Sequence, residues 1–206
     1  MKFYFIRHGE SEANALNLLS NYITSPYGLT DTGRGQAENA AEKIRGIAFD
    51  GFYTSPLPRA IETSEIIRTI NGLPVYRIDR RLAEYGVGEL EDKGDSESWA
   101  RNEALWRDWF THGQTESRVP GGESLDDIIA RIREWLDAVK AEYVDPAANI
   151  LAVTHGGVMN AALPFILENI TGEFSHRYHI RNGSLVVAET SPDGLRCKVW
   201  NNEKIE

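Results

Sequence analysis

Five residues able to handle a phosphoryl group fall just beyond short apolar runs. Arg7 and His8 follow "KFYFI", and Arg59 follows "FDGFYTS" after Pro56-Leu57-Pro58. Glu84 closes "DRRLAE" after "VYRI", and His155 follows "NILAVT". Two guanidiniums offer planar forks suited to phosphoryl oxygens. A neutral imidazole can attack phosphorus, and a carboxyl can give a proton to a departing oxygen. Gly9, Gly156 and Gly157 let the backbone come close to a ligand, and a helix starting after Gly157 would favour an anion. Nothing has the spacing of a P-loop or of a metal cage.

These residues are far apart in sequence, so the fold must collect them. Short β-rich runs alternate with helical ones. Strands are expected at Lys2–Ile6, Phe49–Ser55, Val75–Ile78 and Asn149–Thr154. The last is apolar enough to be buried on both faces. Helices are expected at Gly33–Ile47, Pro58–Ile70, Glu97–Phe110 and Leu125–Val139, and at Val158–Leu167 with Pro164 as a break point. A hairpin around Ser191-Pro192-Asp193-Gly194 ends the chain. The pattern predicts an α/β fold, a three-layer αβα sandwich with a mostly parallel sheet and an antiparallel edge strand. Such sheets bind ligands beyond the carboxyl ends of their strands, where all five residues fall. Residues 1–206 are expected to form one domain, with a lid-like insertion over about 85–122 that has too little core of its own.

Bulk composition narrows the partners. With 22 basic and 31 acidic residues the net charge is −9, which argues against nucleic acid. A local Arg cluster can still hold a small anion. Cys197 is the single cysteine, so no intrachain disulfide forms. No Cys/His cluster has zinc spacing, no signal peptide is evident, and no run approaches the ~20 apolar residues of a membrane span. A cytoplasmic protein is expected, and a homodimer is compatible with the sequence.

The ordered motifs resemble those of the histidine phosphatase superfamily, the phosphoglycerate mutase-like family. "IRHGESEAN" is similar to the signature around its nucleophilic histidine, and "GLTDTGRGQAENAA" to the segment leading its first helix. "YTSPLPRAIETSEII", "RLAEYGVGELED", "PGGESLDDIIAR" and "ILAVTHGGVMNAAL" resemble the remaining blocks, in order. The resemblance implies the phosphoglycerate mutase-like fold and His8 as nucleophile. It implies Glu84 as general acid and then base, with Arg7, Arg59 and His155 on the phosphoryl oxygens. Asn14 and Gly156 are added as substrate contacts. It implies no cofactor or metal. Leu90-Glu91-Asp92 stands where the family has "WEG", which bears on the loop after Glu84. The segment after Asn14 lacks the "RFTGW" of the cofactor-dependent mutases, and the chain is shorter. The expected activity is therefore hydrolysis of a small phosphomonoester through a phosphohistidine, with a phosphoglycerate mutase as the alternative.

Blander roles compete at several positions. Asn14 and Ser11 could cap a helix, and Ser124 with Asp127 resembles a capping box. Gly121-Gly122 suits a turn. Trp99, Trp106 and Trp109 suit core packing, although their place in the insertion makes them candidates for selectivity. His112, His176 and His179 lack a motif and are expected to be structural or solvent-facing. Asn169-Ile170-Thr171 and Asn182-Gly183-Ser184 match the glycosylation pattern, which carries little weight without a secretory signal.

Overall fold

The computed structural model describes residues 1–205. Its strands are β1 (Lys2–Arg7), β2 (Gly51–Thr54), β3 (Arg77–Ile78), β4 (Asn149–Thr154), β5 (Leu185–Ser191), β6 (Gly194–Trp200) and β7 (Glu203–Lys204). Its α-helices are α1 (Glu12–Ala15), α2 (Asp31–Lys43), α3 (Pro58–Asn71), α4 (Ser96–Phe110), α5 (Leu125–Glu142), α6 (Gly156–Ala162) and α7 (Gly172–Arg177). One sheet runs β3-β2-β4-β1-β5-β6-β7. The first four are parallel neighbours, and β5 to β7 pair antiparallel. The fold is the expected α/β sandwich, but its antiparallel part has three strands rather than one edge strand.

Side-chain alternation along the central strands explains the three layers. Phe3, Phe5, Ile150 and Ala152 enter one core with Trp135 and Ile128 of α5. Ile6, Leu151 and Val153 enter the opposite core with Ala40 of α2 and Ile67 of α3. Successive strand residues face opposite sides, so β1 and β4 are apolar through their middles, residues 3–6 and 150–153. The segment between Tyr85 and Val119 joins the first core through Tyr85, Val87, Leu90, Leu105 and Trp109.

Element ends follow local chemistry. Pro58 starts α3, and Gly72, at φ 63°, ends it in the left-handed region. Ser124 and Asp127 form a reciprocal capping box at α5. Ser11 and Asn14 do the same for α1. α2 is shorter than expected because the chain leaves the helix at Ile44, before Gly46 at φ 78°. The expected strand at Val75–Ile78 shrinks to its last two residues. Val75 is 78% exposed at the sheet edge, so little burial holds it in the ladder. The expected helix to Leu167 stops at Ala162 and tightens into a 3₁₀ turn at Leu163–Phe165. Pro164 has no N–H for the carbonyl of Asn160, and the Ser175 hydroxyl donates to that carbonyl at 3.0 Å instead. Asp92 adopts φ 55°, the conformation a glycine would take there, which Asp tolerates better than most residues. Among the described residues no helix is long and apolar enough to cross a membrane.

Two glycines of α2 have opposite surroundings. A Cβ on Gly33 would run into the Glu10 carbonyl just beyond His8, whereas one on Gly35 would meet open space. Gly33→Ala should therefore cost about 1–3 kcal/mol through overpacking. Gly35→Ala should add about 0.5–1 kcal/mol from helix propensity. Urea denaturation of the two variants checks the opposite signs.

Candidate functional site

The parallel β1–β4 ladder assembles the centre. Its register sets Arg7 beside Thr154, so His8 and His155 leave the sheet side by side. The His8 N–H donates to Thr154 O at 3.0 Å, and the two rings lie 5.0 Å apart between centroids. Gly183 N–H and the Asn182 amide close over the same strand end, donating to Arg7 O at 3.0 Å and to His8 O at 3.1 Å.

The neighbours of His8 settle its tautomer. Nδ1 lies 2.6 Å from Gly9 O, which can only accept, so Nδ1 carries the proton. Arg59 Nε donates to Nε2 at 3.1 Å, so Nε2 holds the lone pair. Burial, then Arg59 and Arg7, push the His8 pKa well below the usual histidine range. The ring is therefore neutral near pH 7, the state a nucleophile needs. Arg59 covers the lone pair, so Nε2 becomes free only when the guanidinium moves.

His155 is held by Ser55, with Nε2 at 2.6 Å from the hydroxyl. Its Nδ1 is buried without a protein partner. Burial, Arg59 and His8 push its pKa well below the usual range too. Arg7 donates from Nη1 to Ile180 O at 2.7 Å, while its Nε is buried and unpartnered. Arg59 Nη1 is likewise buried and unpartnered, and burial pushes Arg59 down to about 10, which leaves it charged at neutral pH. Three buried nitrogens without protein partners thus cluster around His8. That set suits the oxygens of an anion. Gly156 is required beside them, because a Cβ there would sit 2.8 Å from Arg7 Cζ.

Glu84 is fixed by the start of α6. Oε2 accepts from Gly157 N at 2.9 Å; Oε1 accepts from Val158 N at 2.7 Å and Tyr85 N at 3.1 Å. His155, the residue preceding α6, makes no side-chain cap, so Glu84 supplies that function from across the chain. A Cβ on Gly157 would lie 2.7 Å from Oε1, which makes glycine necessary. The Glu84 charge raises the pKa of both Arg7 and Arg59 against their desolvation.

A cavity of about 970 Å³ opens beside this centre, lined by Arg7, Asn14, Glu84 and Gly156 among others. His8, Arg59 and His155 are 2%, 3% and 0% exposed and lie beneath its floor. Asn14 uses Oδ1 to accept from Ser11 N and from the Asn182 amide, leaving its own amide N–H₂ as the available donor. Ser11 is fully buried as a cap. The three-tryptophan stripe divides. Trp109 is core, whereas Trp99 and Trp106 line the cavity. His112 pairs with Asp108 at the surface. His176 and His179, expected to be structural or solvent-facing, are exposed but line the cavity. They sit on α7 and the turn after it, which no motif marked. Glu91 was visible only as a departure from a motif. Its Oε1 accepts from Asn21 N at 2.7 Å and Tyr22 N at 2.9 Å, tying down the loop beside the cavity.

Comparison with known proteins agrees with this geometry. The family profile described as histidine phosphatase superfamily (branch 1) matches residues 3–203. A protein of Photorhabdus laumondii named probable phosphoglycerate mutase GpmB is 31% identical over 185 residues, covering 90% of this chain and 83% of its own. The 2,3-bisphosphoglycerate-dependent phosphoglycerate mutase of Thermoplasma acidophilum is 31% identical over 188 residues, with 89% and 84% covered. Among solved structures, the mycobacterial glucosyl-3-phosphoglycerate phosphatase complexed with VO3 superposes with a TM-score of 0.81 at 25% identity, covering 97% and 98%. The α-ribazole phosphatase of Shigella flexneri shares the fold, with a TM-score of 0.78 at 23% identity over 100% of both chains.

The buried histidines make stability depend on pH. Their folded pKa values lie below the unfolded value, so the unfolded chain binds more protons below about pH 6.5. Stability should therefore fall as pH drops through that value. The loss from about pH 7.5 to about pH 5.5 should be roughly 1 kcal/mol for each histidine. Denaturation of wild type and of His8→Asn/His155→Asn across that window checks it, the double variant having the flatter profile.

Proposed function

The chain belongs to the histidine phosphatase superfamily (branch 1), and we propose that it hydrolyses a small phosphomonoester through a phosphohistidine on His8. The observation that carries this reading is the His8 tautomer. An uncharged ring presents the Nε2 lone pair to a group of buried cationic and imidazole nitrogens. In the first step Nε2 forms a bond to phosphorus as the ester P–O bond breaks. Glu84, a carboxylate in the resting site, takes the proton of the arriving ester monoanion and passes it to the departing alkoxide. In the second step Glu84 accepts a proton from water, whose oxygen bonds to phosphorus as the P–N bond breaks and phosphate leaves. Arg7, Arg59 and His155 hold the phosphoryl oxygens throughout, and Asn14 with the Gly156 backbone borders the same space. Most of the rate comes from positioning and from charge placed in advance.

Phosphoglycerate mutase is the second reading, favoured by the names of the curated relatives. The two differ in the fate of the phosphohistidine. A mutase returns the phosphoryl group to its substrate, whereas a phosphatase lets water reach it. The cavity of about 970 Å³ is roomier than a three-carbon acid requires and supports the hydrolytic reading. Assays of p-nitrophenyl phosphate and 3-phosphoglycerate side by side separate the two. Phosphate release from the first is expected, and isomerisation of the second without phosphate release would overturn the phosphatase reading.

His8→Ala should lower turnover at least ~1,000-fold and abolish acid-labile phosphate labelling of the protein. Glu84→Gln should slow an ester with a poor leaving group at least ~10-fold more than one with a good leaving group. Paired kinetics on an alkyl and a nitrophenyl ester test the second, and equal slowing counts against the proton role.

A further inference from the structure

We propose that Trp99, Trp106 and Phe110 form a leaving-group subsite that selects phosphomonoesters whose alcohol carries a flat aromatic ring system. The assignment rests on the phosphohistidine reading above and adds the class of substrate.

Direction comes from the reaction geometry. The alcohol departs opposite His8 and must lie against the group that protonates it, Glu84. The chain builds the aromatic wall directly from that residue. The Tyr85 backbone N–H donates to Glu84 Oε1, and the buried Tyr85 ring meets Trp106 edge-on at 6.0 Å between centroids. Phe110 stacks on Trp106 at 5.5 Å and 23°. Trp99, Trp106 and Phe110 all line the cavity that Arg7 and Glu84 also line.

The chemistry of the wall follows from where its polar atoms are used. Trp106 Nε1 donates to Tyr85 OH at 3.1 Å, and that hydroxyl donates to Asn102 Oδ1 at 2.9 Å. Trp99 Nε1 donates to Asn17 O at 2.9 Å. Both indole N–H groups are therefore spent on the protein, and the two rings meet a ligand with carbon. They are also held in place, so little side-chain freedom is lost when a ligand packs on them. Phe110 is confined by Gly172, where a Cβ would lie 2.7 Å from Phe110 Cδ1. A fixed apolar surface of this kind favours another ring by stacking and by the area removed from water. Polar groups stand around it. Asn102 has spent its oxygen on Tyr85, and Glu103, Arg107 and Glu173 complete the border. A ring with polar substituents fits that arrangement better than a short, fully charged acid does.

The test compares esters of primary alcohols of similar acidity, so that leaving-group chemistry does not dominate. Propyl, benzyl and 2-naphthylmethyl phosphate are given to the full-length wild-type enzyme, with phosphate release as the readout. kcat/KM for the naphthylmethyl ester should exceed that for the propyl ester at least ~10-fold, mostly through KM, with benzyl between them. In Trp106→Leu and in Trp99→Leu the naphthylmethyl-to-propyl ratio should fall at least ~5-fold. A ratio taken within one preparation does not depend on how much of the variant is folded. Hydrolysis of all three esters without ring preference, or a wild-type ratio kept in both variants, overturns this assignment alone. Failure to hydrolyse any of the esters overturns the phosphatase reading and the assignment with it.

Discussion

Two guanidiniums share one buried pocket with two imidazoles, and among the described residues only one carboxylate, Glu84, shifts both of their pKa values upward. Like charges that close are costly to desolvate unless neighbouring groups offset them. The surrounding structure supplies those offsets. Arg7 is tied to Ile180 O, Arg59 to the lone pair of His8, and Glu84 acts on both at longer range. The histidines stay neutral because burial, and then the nearby guanidiniums, disfavour their charged form. The residual imbalance leaves three buried nitrogens around His8 without a protein partner.

That pocket depends on backbone placement more than on side-chain packing. The β1–β4 ladder brings Arg7-His8 beside Thr154-His155, and the start of α6 then presents its N–H groups to Glu84. Gly156 and Gly157 sit where any side chain would strike Arg7 or Glu84. Because Glu84 is held by α6 and followed by Tyr85, the segment carrying α4 is anchored to the same spot. Glu84 and the aromatic face of α4 are thus linked through Tyr85, whose ring meets Trp106. A change in one is expected to be felt by the other.

Much of this was legible beforehand, for identifiable reasons. Asn149–Thr154 was readable because a strand buried on both faces has a nearly unbroken apolar run. α3 was readable because Pro58 and Asn71-Gly72 mark its ends. The centre was readable because each of its residues follows a strand, and a parallel sheet sends such residues to one edge. The failures also have causes. Val75 has a strand-like side chain, but its edge position leaves it exposed with little to bury against. The helix expected up to Leu167 broke where Pro164 removed a donor, a point the sequence marked without showing how the freed carbonyl would be satisfied. Asp92, standing where the family motif has glycine, takes the left-handed backbone at φ 55°.

The sequence by itself determined the set of reactive groups, their order along the chain and the alternation of elements that carries them to one edge. These are properties of residue type and of local period, and they survive without long-range information. Only the tertiary structure decided that His8, Arg59 and His155 lie beneath the cavity floor, and which His8 nitrogen holds the lone pair. It alone divided the tryptophan stripe, sending Trp109 to the core and Trp99 and Trp106 to the cavity, and brought His176 and His179 to its wall. Each of these depends on a contact between distant segments: Arg59 against the His8 imidazole, Asn17 and Tyr85 against α4, α7 against Phe110. Exposure and hydrogen-bond partners belong to such contacts, and no spacing within a single segment encodes them.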